Sequence, residues 1–417
     1  MSLPLQQRLP GTRKQSSSTE IDAPYNPQIV PAIKANKIAI THIINGLYTG
    51  GAEMMLYKLL SCLDREKYDA QVITLLDGGE LRDKIESFGI TTYSLGMQRK
   101  GANVAGIKRL LQHLRQTPPD LIQSWMYHSN LFGSLTRIAV KAPLVWNIRC
   151  SKAAETFAGR RTIWAAKAGA ALSHLIPARI VCGSVAAWND HLEMGYEKEK
   201  MVVIQNGFDL DRFRPDPTAR QAVRKELQLS PDSTLVGIFT RFDPFKDPEN
   251  FVRAAAFLHT RMPGVHFVMC GHEISLGNQK LVGWLEQAGI QANCHLLGTR
   301  QDVPQLMAAM DIIVSSSQSE GFPNVLGEAM ACGVPCAATD AGDSALIIGD
   351  TGKIAPIKAP EVLAQACEAL LRLSADERRT LGLAARQRIE DQFSLTTIAQ
   401  QYEQLYQELL ALRKGRH

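Results

Sequence analysis

From residue 37 onward, short apolar runs alternate with polar loops and stretches of helical spacing. Runs at 37–44, 68–75, 91–95, 121–124, 144–148, 179–181 and 201–204 predict buried strands, and segments such as 52–63 and 104–115 carry apolar residues at helical intervals between them. Such alternation predicts a parallel, doubly wound α/β sheet. After Asn206 and Gly207 the run FDLDRFRPDPTAR breaks the pattern with prolines and charge. The alternation restarts with strands expected at 235–240, 266–270, 294–297, 311–315 and 335–339, so the same architecture is predicted twice. A last helix, about 395–413, sets Leu395, Ile398, Tyr402, Leu405 and Leu409 on one face and requires an apolar partner. Residues 1–36, rich in Pro, Ser and Gln, show no apolar period and predict a disordered tail. The expected divisions are therefore 1–36, 37–207, 208–394 and 395–417.

Composition narrows the class. A chain of 417 residues exceeds one typical domain, and 45% hydrophobic with 21% charged residues is ordinary for a soluble globular protein. The net charge of +5 permits weak attraction to anionic partners, and no aromatic-basic array points to nucleic acid. The eight cysteines are scattered through apolar segments, which predicts free thiols in a reducing cytoplasm. Cys332 and Cys336 are near neighbours, but no second pair or His cluster completes a zinc site, and no metal is expected. No run of eighteen apolar residues and no apolar signal core occur, so the chain is expected neither to span a membrane nor to be secreted.

The richest chemistry lies in 311–343, DIIVSSSQSEGFPNVLGEAMACGVPCAATDAGD, which predicts a strand, a Ser-rich loop, a helix beginning at Pro323 and ending at Gly333, and a second strand. Ligands of such units sit beyond the carboxyl ends of the strands. Glu320 in the loop and Glu328 in the helix can then hold separate parts of one extended ligand, with the N–H groups of Gly321, Phe322 and Asn324 as donors between them. The alternative is a helix with an acidic first turn and one surface Glu.

Other candidates lie at the ends of predicted strands. Gly46, Gly50 and Gly51 follow the first strand and either let a phosphate approach the backbone or make a structural turn. His128 in SWMYHSN either packs at a helix start or faces the crevice. Arg149 in VWNIRCS either pairs with a carboxylate or meets an acceptor phosphate. Arg241 and Lys246 in FTRFDPFKDPEN could stabilise a leaving phosphate or form a charged surface loop. Four cations, Lys152, Arg160, Arg161 and Lys167, face one acid, Glu155, across 152–173 with Phe157, Ile163, Trp164 and Leu172 interspersed. That stretch is either an ordinary packed helix or a peripheral contact with an anionic membrane. Asp209-Leu-Asp211 imitates a metal motif, but it sits in the linker rather than after a core strand.

The run E-G-F-P-N-V-L-G-E-A-M-A-C-G-V-P resembles the E-x7-E signature of glycosyltransferase family 4. The resemblance implies the GT-B architecture, two Rossmann-like doubly wound parallel-sheet domains facing across a cleft, with the last helix returning to the first domain. It also implies a retaining, metal-independent transferase without a cofactor, using a nucleotide sugar of the UDP-sugar kind and a glycan or polyprenyl-linked acceptor at the cytoplasmic face.

By the same resemblance Glu320 touches the donor sugar and Glu328 the ribose. Gly50 and Gly51 lie near the diphosphate, Arg241 and Lys246 grip it, and His128 lies near the sugar. The loop GTRQDV with Arg300 holds the base, and Gly321, Phe322, Asn324 and Val325 line the donor site. One departure is Leu346, where the family often has Glu. Two other readings fit the architecture, a UDP-sugar epimerase and a non-catalytic sugar-nucleotide-binding protein.

Overall fold

The computed structural model describes residues 37–97, 104–150 and 160–414. The expected tail at 1–36 and the part of the basic stretch before Arg160 lie outside the described residues. Strands β1 (Ile38–Ile44), β2 (Tyr68–Thr74), β3 (Thr91–Ser94), β4 (Leu121–Trp125), β5 (Leu144–Ile148), β6 (Arg179–Cys182) and β7 (Met201–Val203) form one parallel sheet in the order β3-β2-β1-β4-β5-β6-β7. Strands β8 (Thr234–Phe239), β9 (Val265–Cys270), β10 (Cys294–Leu296), β11 (Ile312–Ser315), β12 (Cys336–Thr339) and β13 (Lys353–Ala355) form a second, ordered β10-β9-β8-β11-β12-β13 and also parallel. Helices cover both faces of each sheet, so the central strands are buried on both sides and read as near-continuous apolar runs.

Each order has a reversal point, between β1 and β4 in the first sheet and between β8 and β11 in the second. Loops leaving the two strands at a reversal diverge and open a crevice at the carboxyl edge. In the second sheet those loops are 240–247 and 316–323, which hold Arg241, Lys246 and Glu320. In the first they are 45–50 and the turn into the helix Met126–Ser134, which holds His128.

The helix Leu395–Lys414 packs on the first sheet. Leu395, Ile398, Ala399, Tyr402, Leu405, Tyr406 and Leu409 share a core with Ile40, Leu121, Trp125 and Val145. Each large apolar side chain buried there is worth about 1.5–3 kcal/mol. The helix also satisfies polar groups that the first sheet buries. Tyr406 donates to Gln123, and Tyr402 accepts from Asn147 at 2.8 Å. The linker is stitched to the same place, for Phe208 N–H donates to the Phe393 carbonyl at 2.9 Å and Leu395 N–H to the Phe208 carbonyl at 3.0 Å.

One strand is added to those expected, and one local expectation is corrected. Strand β13 was not foreseen, because three residues, Lys-Ile-Ala, are too few to show alternation. The helix after the Ser-rich loop begins at Asn324 rather than Pro323, which stays extended at ψ 94° as its N-cap. The extended step lets Phe322 stack on Phe208, with ring centres 6.0 Å apart. All eight cysteines are free thiols, and Cys62 is exposed. Among the described residues, no helix is long and apolar enough to cross a membrane.

Candidate active site

The crevice of the second sheet and the carboxyl edge of the first meet around a cavity of about 370 Å³. The second half lines it with Arg241, Lys246, Glu320, Gly321, Phe322, Asn324 and Val325. The first half contributes Gly51, Arg149, Cys150, Gly183 and Ser184, and Asn206 comes from the linker.

The cavity wall is fixed by local hydrogen bonds. Ser316 Oγ donates to the carbonyls of Lys246 and Asp247 at 3.0 and 2.9 Å, and Gln318 N–H donates to the Phe245 carbonyl at 2.7 Å. Asp247, at a left-handed φ of 46°, caps the helix Pro248–Arg261 by accepting from Asn250 N–H at 3.2 Å. These bonds lock the two loops together, so the groups on them are held before any ligand arrives. Gly342, at φ 58°, lets the chain run against the Glu320–Gly321 backbone, where a Cβ would lie 2.4 Å from the Glu320 carbonyl oxygen.

Lys246 and Glu320, expected to serve different parts of a ligand, pair with each other. Lys246 Nζ lies 2.5 Å from Glu320 Oε1, which also accepts from Ser317 Oγ at 2.7 Å. Arg241 is more exposed and is tethered to Asp243 at 2.9 Å. Next to them the N–H groups of Gly321, Phe322 and Asn324 meet no acceptor among the described residues. Two cations and a set of free donors at a helix start make a site for a strongly anionic group.

Arg149 is held by neutral oxygens. Its guanidinium donates to Asn147 Oδ1 at 2.9 Å, to Asn206 Oδ1 at 2.7 Å and to the Tyr402 hydroxyl, and it lies over the Trp125 ring. Gly183 makes room for it, since a Cβ there would stand 2.6 Å from Arg149 Cδ. Asn206 in turn donates to Asn324 Oδ1 at 2.8 Å, so one chain of bonds runs from the last helix through Arg149 to the donor-side helix. An asparagine and a tyrosine more than fifty residues away from Arg149 give no local signal, and sequence reading did not find Asn206 or Tyr402.

The remaining candidates lie outside the cavity lining. Glu328 sits behind it, its carboxyl pushed up by burial and pulled back by Lys58 and then Arg212. Lys58, which sequence reading missed, is held below the usual ammonium range by burial, with Glu328 opposing. Its Nζ donates to the Gly207 carbonyl at 3.2 Å. His128 is half-buried, with its imidazole held below its ordinary value by burial. Met126, two residues before it, has φ 71°, a strained value for a non-glycine residue. Gly50 is the N-cap of the helix Gly51–Cys62. Arg300 is engaged by Glu226 at 2.7 Å and Asp302 at 2.7 Å. Asp209 accepts from the N–H groups of Asp211 and Arg212 at 3.1 and 3.0 Å, capping a turn. Leu346 lies in the short helix Ser344–Ile348 and is partly exposed.

Another contact joins the two halves. The buried Asp343 carboxylate accepts from Val185 N–H at 2.8 Å and Ala186 N–H at 2.9 Å, at the start of the helix Val185–Glu193. Burial raises this carboxyl, and the two N–H bonds oppose the shift.

Two parallel sheets with a polar cavity at their carboxyl edges make the GT-B arrangement. Residues 233–373 match the family model described as glycosyl transferases group 1, and residues 49–212 match glycosyltransferase family 4. The chain belongs to this family of glycosyltransferases. It is 33% identical over 199 residues to the D-inositol 3-phosphate glycosyltransferases of Mycobacterium tuberculosis and Mycobacterium bovis. That alignment covers 46% of this chain and 40% of theirs, so the match spans less than half of the length of these curated relatives. Among solved structures, Anabaena Alr3699/HepE in complex with UDP superposes with a TM-score of 0.77 at 24% identity, over 89% of this chain and all of that one. Sucrose-phosphate synthase from Thermosynechococcus elongatus superposes with a TM-score of 0.71 at 19% identity, over 90% of this chain and 100% of the other.

Proposed function

We propose that the protein is a retaining glycosyltransferase that moves a sugar from a UDP-sugar to a hydroxyl of a glycan or lipid-linked acceptor, in the synthesis of a cell-surface polysaccharide or glycolipid. The observation that carries this reading is the convergence of Arg241, Lys246, Glu320 and the free N–H groups of Gly321, Phe322 and Asn324 on one cavity that Gly51 and Arg149 close from the other half. Anabaena Alr3699/HepE has been solved with UDP and with UDP-glucose, which supports a uridine nucleotide as donor carrier.

Transfer breaks the bond between the sugar's anomeric carbon and the phosphate oxygen, and negative charge grows on the leaving diphosphate. Arg241, Lys246 and the helix-start N–H groups stabilise that charge. The positive charge these residues supply supports transfer without a metal or a cofactor. Glu320, tied to Lys246 and Ser317, orients the sugar rather than attacking it. Retention then follows from acceptor attack on the face the phosphate leaves, the acceptor proton passing to a phosphate oxygen. Glu328 binds the ribose, the Arg300 loop the base, and His128 the sugar, with Gly50 and Gly51 near the diphosphate.

Arg149 receives an acceptor phosphate. Its partners are two amide oxygens and a hydroxyl, so a phosphate would meet a guanidinium whose charge no carboxylate in that set has neutralised. The phosphate in the name of the mycobacterial relatives' acceptor supports the same reading. The protein works in the cytoplasm, and its peripheral contact with the inner face of the membrane involves the helix Arg160–Ser173, where Trp164 is 68% exposed.

The test is incubation with a panel of nucleotide sugars, with and without cell-envelope lipid extract. Release of UDP that depends on the extract, with an α-linked product from an α-linked donor, is expected. A changed sugar nucleotide without any acceptor would indicate an epimerase, and a donor recovered unchanged under all conditions a binding protein.

A further inference from the structure

Tyr48 stands in the loop between β1 and the helix Gly51–Cys62, just ahead of Gly51 of the cavity lining, and it is 42% exposed. Its surroundings are fixed. The loops that follow β1 and β2 are joined by main-chain bonds, Leu76 N–H donating to the Asn45 carbonyl at 2.8 Å and Leu81 N–H to the Leu47 carbonyl at 3.0 Å. The Tyr48 hydroxyl donates to the Asp77 carbonyl at 2.7 Å. Glycines make this approach possible, since a Cβ on Gly79, at φ 114°, would stand 2.2 Å from the Leu47 carbonyl carbon, and one on Gly46 3.1 Å from Tyr48 Cδ2. An aromatic surface tethered in this way loses little freedom when a ligand covers it.

A carboxylate stands next to the ring. Glu80 is exposed, its Oε2 accepts from Thr49 N–H at 3.1 Å, and its Oε1 accepts from none of the described residues. A ring beside a carboxylate oxygen that still has room to accept suits a sugar, whose C–H face covers the ring while adjacent hydroxyls donate to the carboxylate. It does not suit a phosphate, which the carboxylate repels. The anion-binding group lies elsewhere on the same edge. Arg149 follows β5, two strands away from β1 in the sheet order, which at about 4.8 Å per strand is about 10 Å. The helix Met126–Ser134, with His128, follows β4, the strand between them.

We propose, resting on the reading of Arg149 as the seat of the acceptor phosphate, that Tyr48 and Glu80 bind a sugar ring of the acceptor, stacked on Tyr48 with its hydroxyls on Glu80. The acceptor lies across the carboxyl edge of the first sheet, its phosphate at β5 and this ring at β1, and passes the donor sugar between the two. In a single sugar phosphate the ring adjoins the phosphate and does not bridge a gap of about 10 Å. The acceptor is therefore longer, as a lipid diphosphate-linked saccharide is.

Initial rates of UDP release at increasing cell-envelope lipid extract, with the nucleotide sugar that wild type turns over, test the proposal. Tyr48→Ala should raise the extract concentration that gives half the maximal rate by about two- to twelve-fold, the range of one aromatic contact. Tyr48→Trp keeps a ring and should stay within about twofold of wild type, while Glu80→Gln should raise the concentration as well. Arg149→Ala should also raise it, and the double variant with Tyr48→Ala by the product of the two, as contacts about 10 Å apart on one ligand do. UDP affinity by titration calorimetry should be the same in wild type, Tyr48→Ala and Glu80→Gln. A thermal midpoint equal to that of wild type certifies each fold, and Tyr48→Leu replaces Tyr48→Ala should the latter melt early. Tyr48→Ala that behaves as wild type overturns the proposal, and so does Tyr48→Trp as impaired as Tyr48→Ala, because loop packing rather than a ring is then what matters. Weaker UDP binding by Tyr48→Ala overturns it by assigning the ring to the donor, and Arg149→Ala without effect removes the spanning acceptor. A wild type that releases no UDP in response to extract refutes transfer and the platform together, whereas release that Tyr48 and Glu80 do not affect leaves transfer standing and removes the platform alone.

Discussion

Glu320→Gln should move nucleotide binding and sugar transfer in opposite directions. In the structure Glu320 Oε1 holds Lys246 Nζ at 2.5 Å, and both side chains are mostly buried, with 10% and 24% of their surface exposed. A diphosphate must draw Lys246 away from that carboxylate, or share it. A hydrogen bond with a charged partner contributes about 1.5–3 kcal/mol, and a neutral one about 0.5–1.5. The substitution keeps the side-chain volume and an acceptor for Ser317 Oγ, so it frees Lys246 by about 1–1.5 kcal/mol. UDP alone should then bind about five- to twelve-fold more tightly. In the proposed reaction the carboxylate that orients the sugar is lost at the same time, which should slow transfer by about 10²-fold or more. Titration calorimetry with UDP and initial rates of UDP release measure the two effects. Weaker UDP binding by Glu320→Gln, or transfer within threefold of wild type, would refute the reasoning, because the pair would then be structural and remote from the diphosphate.

A Cβ at residue 51 meets nothing within 4 Å, so Gly51→Ala should leave the thermal midpoint unchanged and weaken donor binding. Gly342→Ala, with its collision at the Glu320 carbonyl and φ of 58°, should lower the midpoint, and equal midpoints for the two variants would contradict the geometry. Asp311, 4% exposed, is shared by Arg220, Arg224 and Arg378, and Arg224 is 1% exposed. Asp311→Ala should therefore cost about 3–5 kcal/mol in urea unfolding, since it strands a buried cation, and a loss below about 1 kcal/mol would count against that account. His42 is fully buried, accepts from Trp125 Nε1 at 3.3 Å, and has its imidazole lowered to about 3 by burial. Between pH 6.5 and about 3 the unfolded chain takes up the proton first, so stability should fall as pH falls through that window, by up to about 1.4 kcal/mol per unit. His42→Gln should flatten the slope, and an unchanged slope would place the titration elsewhere.

The sequence by itself determined the doubly wound α/β class and most strand positions. A strand buried on both faces is mostly apolar, and β1, β4, β5 and β11 carry that mark despite the buried His42, Gln123 and Asn147. Spacing alone left Arg241, Lys246 and Glu320 open to a charged surface loop and an acidic helix start; the family resemblance of the motif singled them out together with Gly321, Phe322, Asn324 and Val325, and all of them line the cavity. β13 and the extended Pro323 escaped sequence reading, one too short to show a period and the other set by the packing of Phe322 on Phe208. Only the tertiary structure decided that Lys246 and Glu320, 74 residues apart, form a pair, and that Tyr402 and Asn206 hold Arg149 from 253 and 57 residues away. Periodicity records which side of an element faces the core, but a contact between distant side chains depends on how whole elements pack, and no single stretch of chain encodes that.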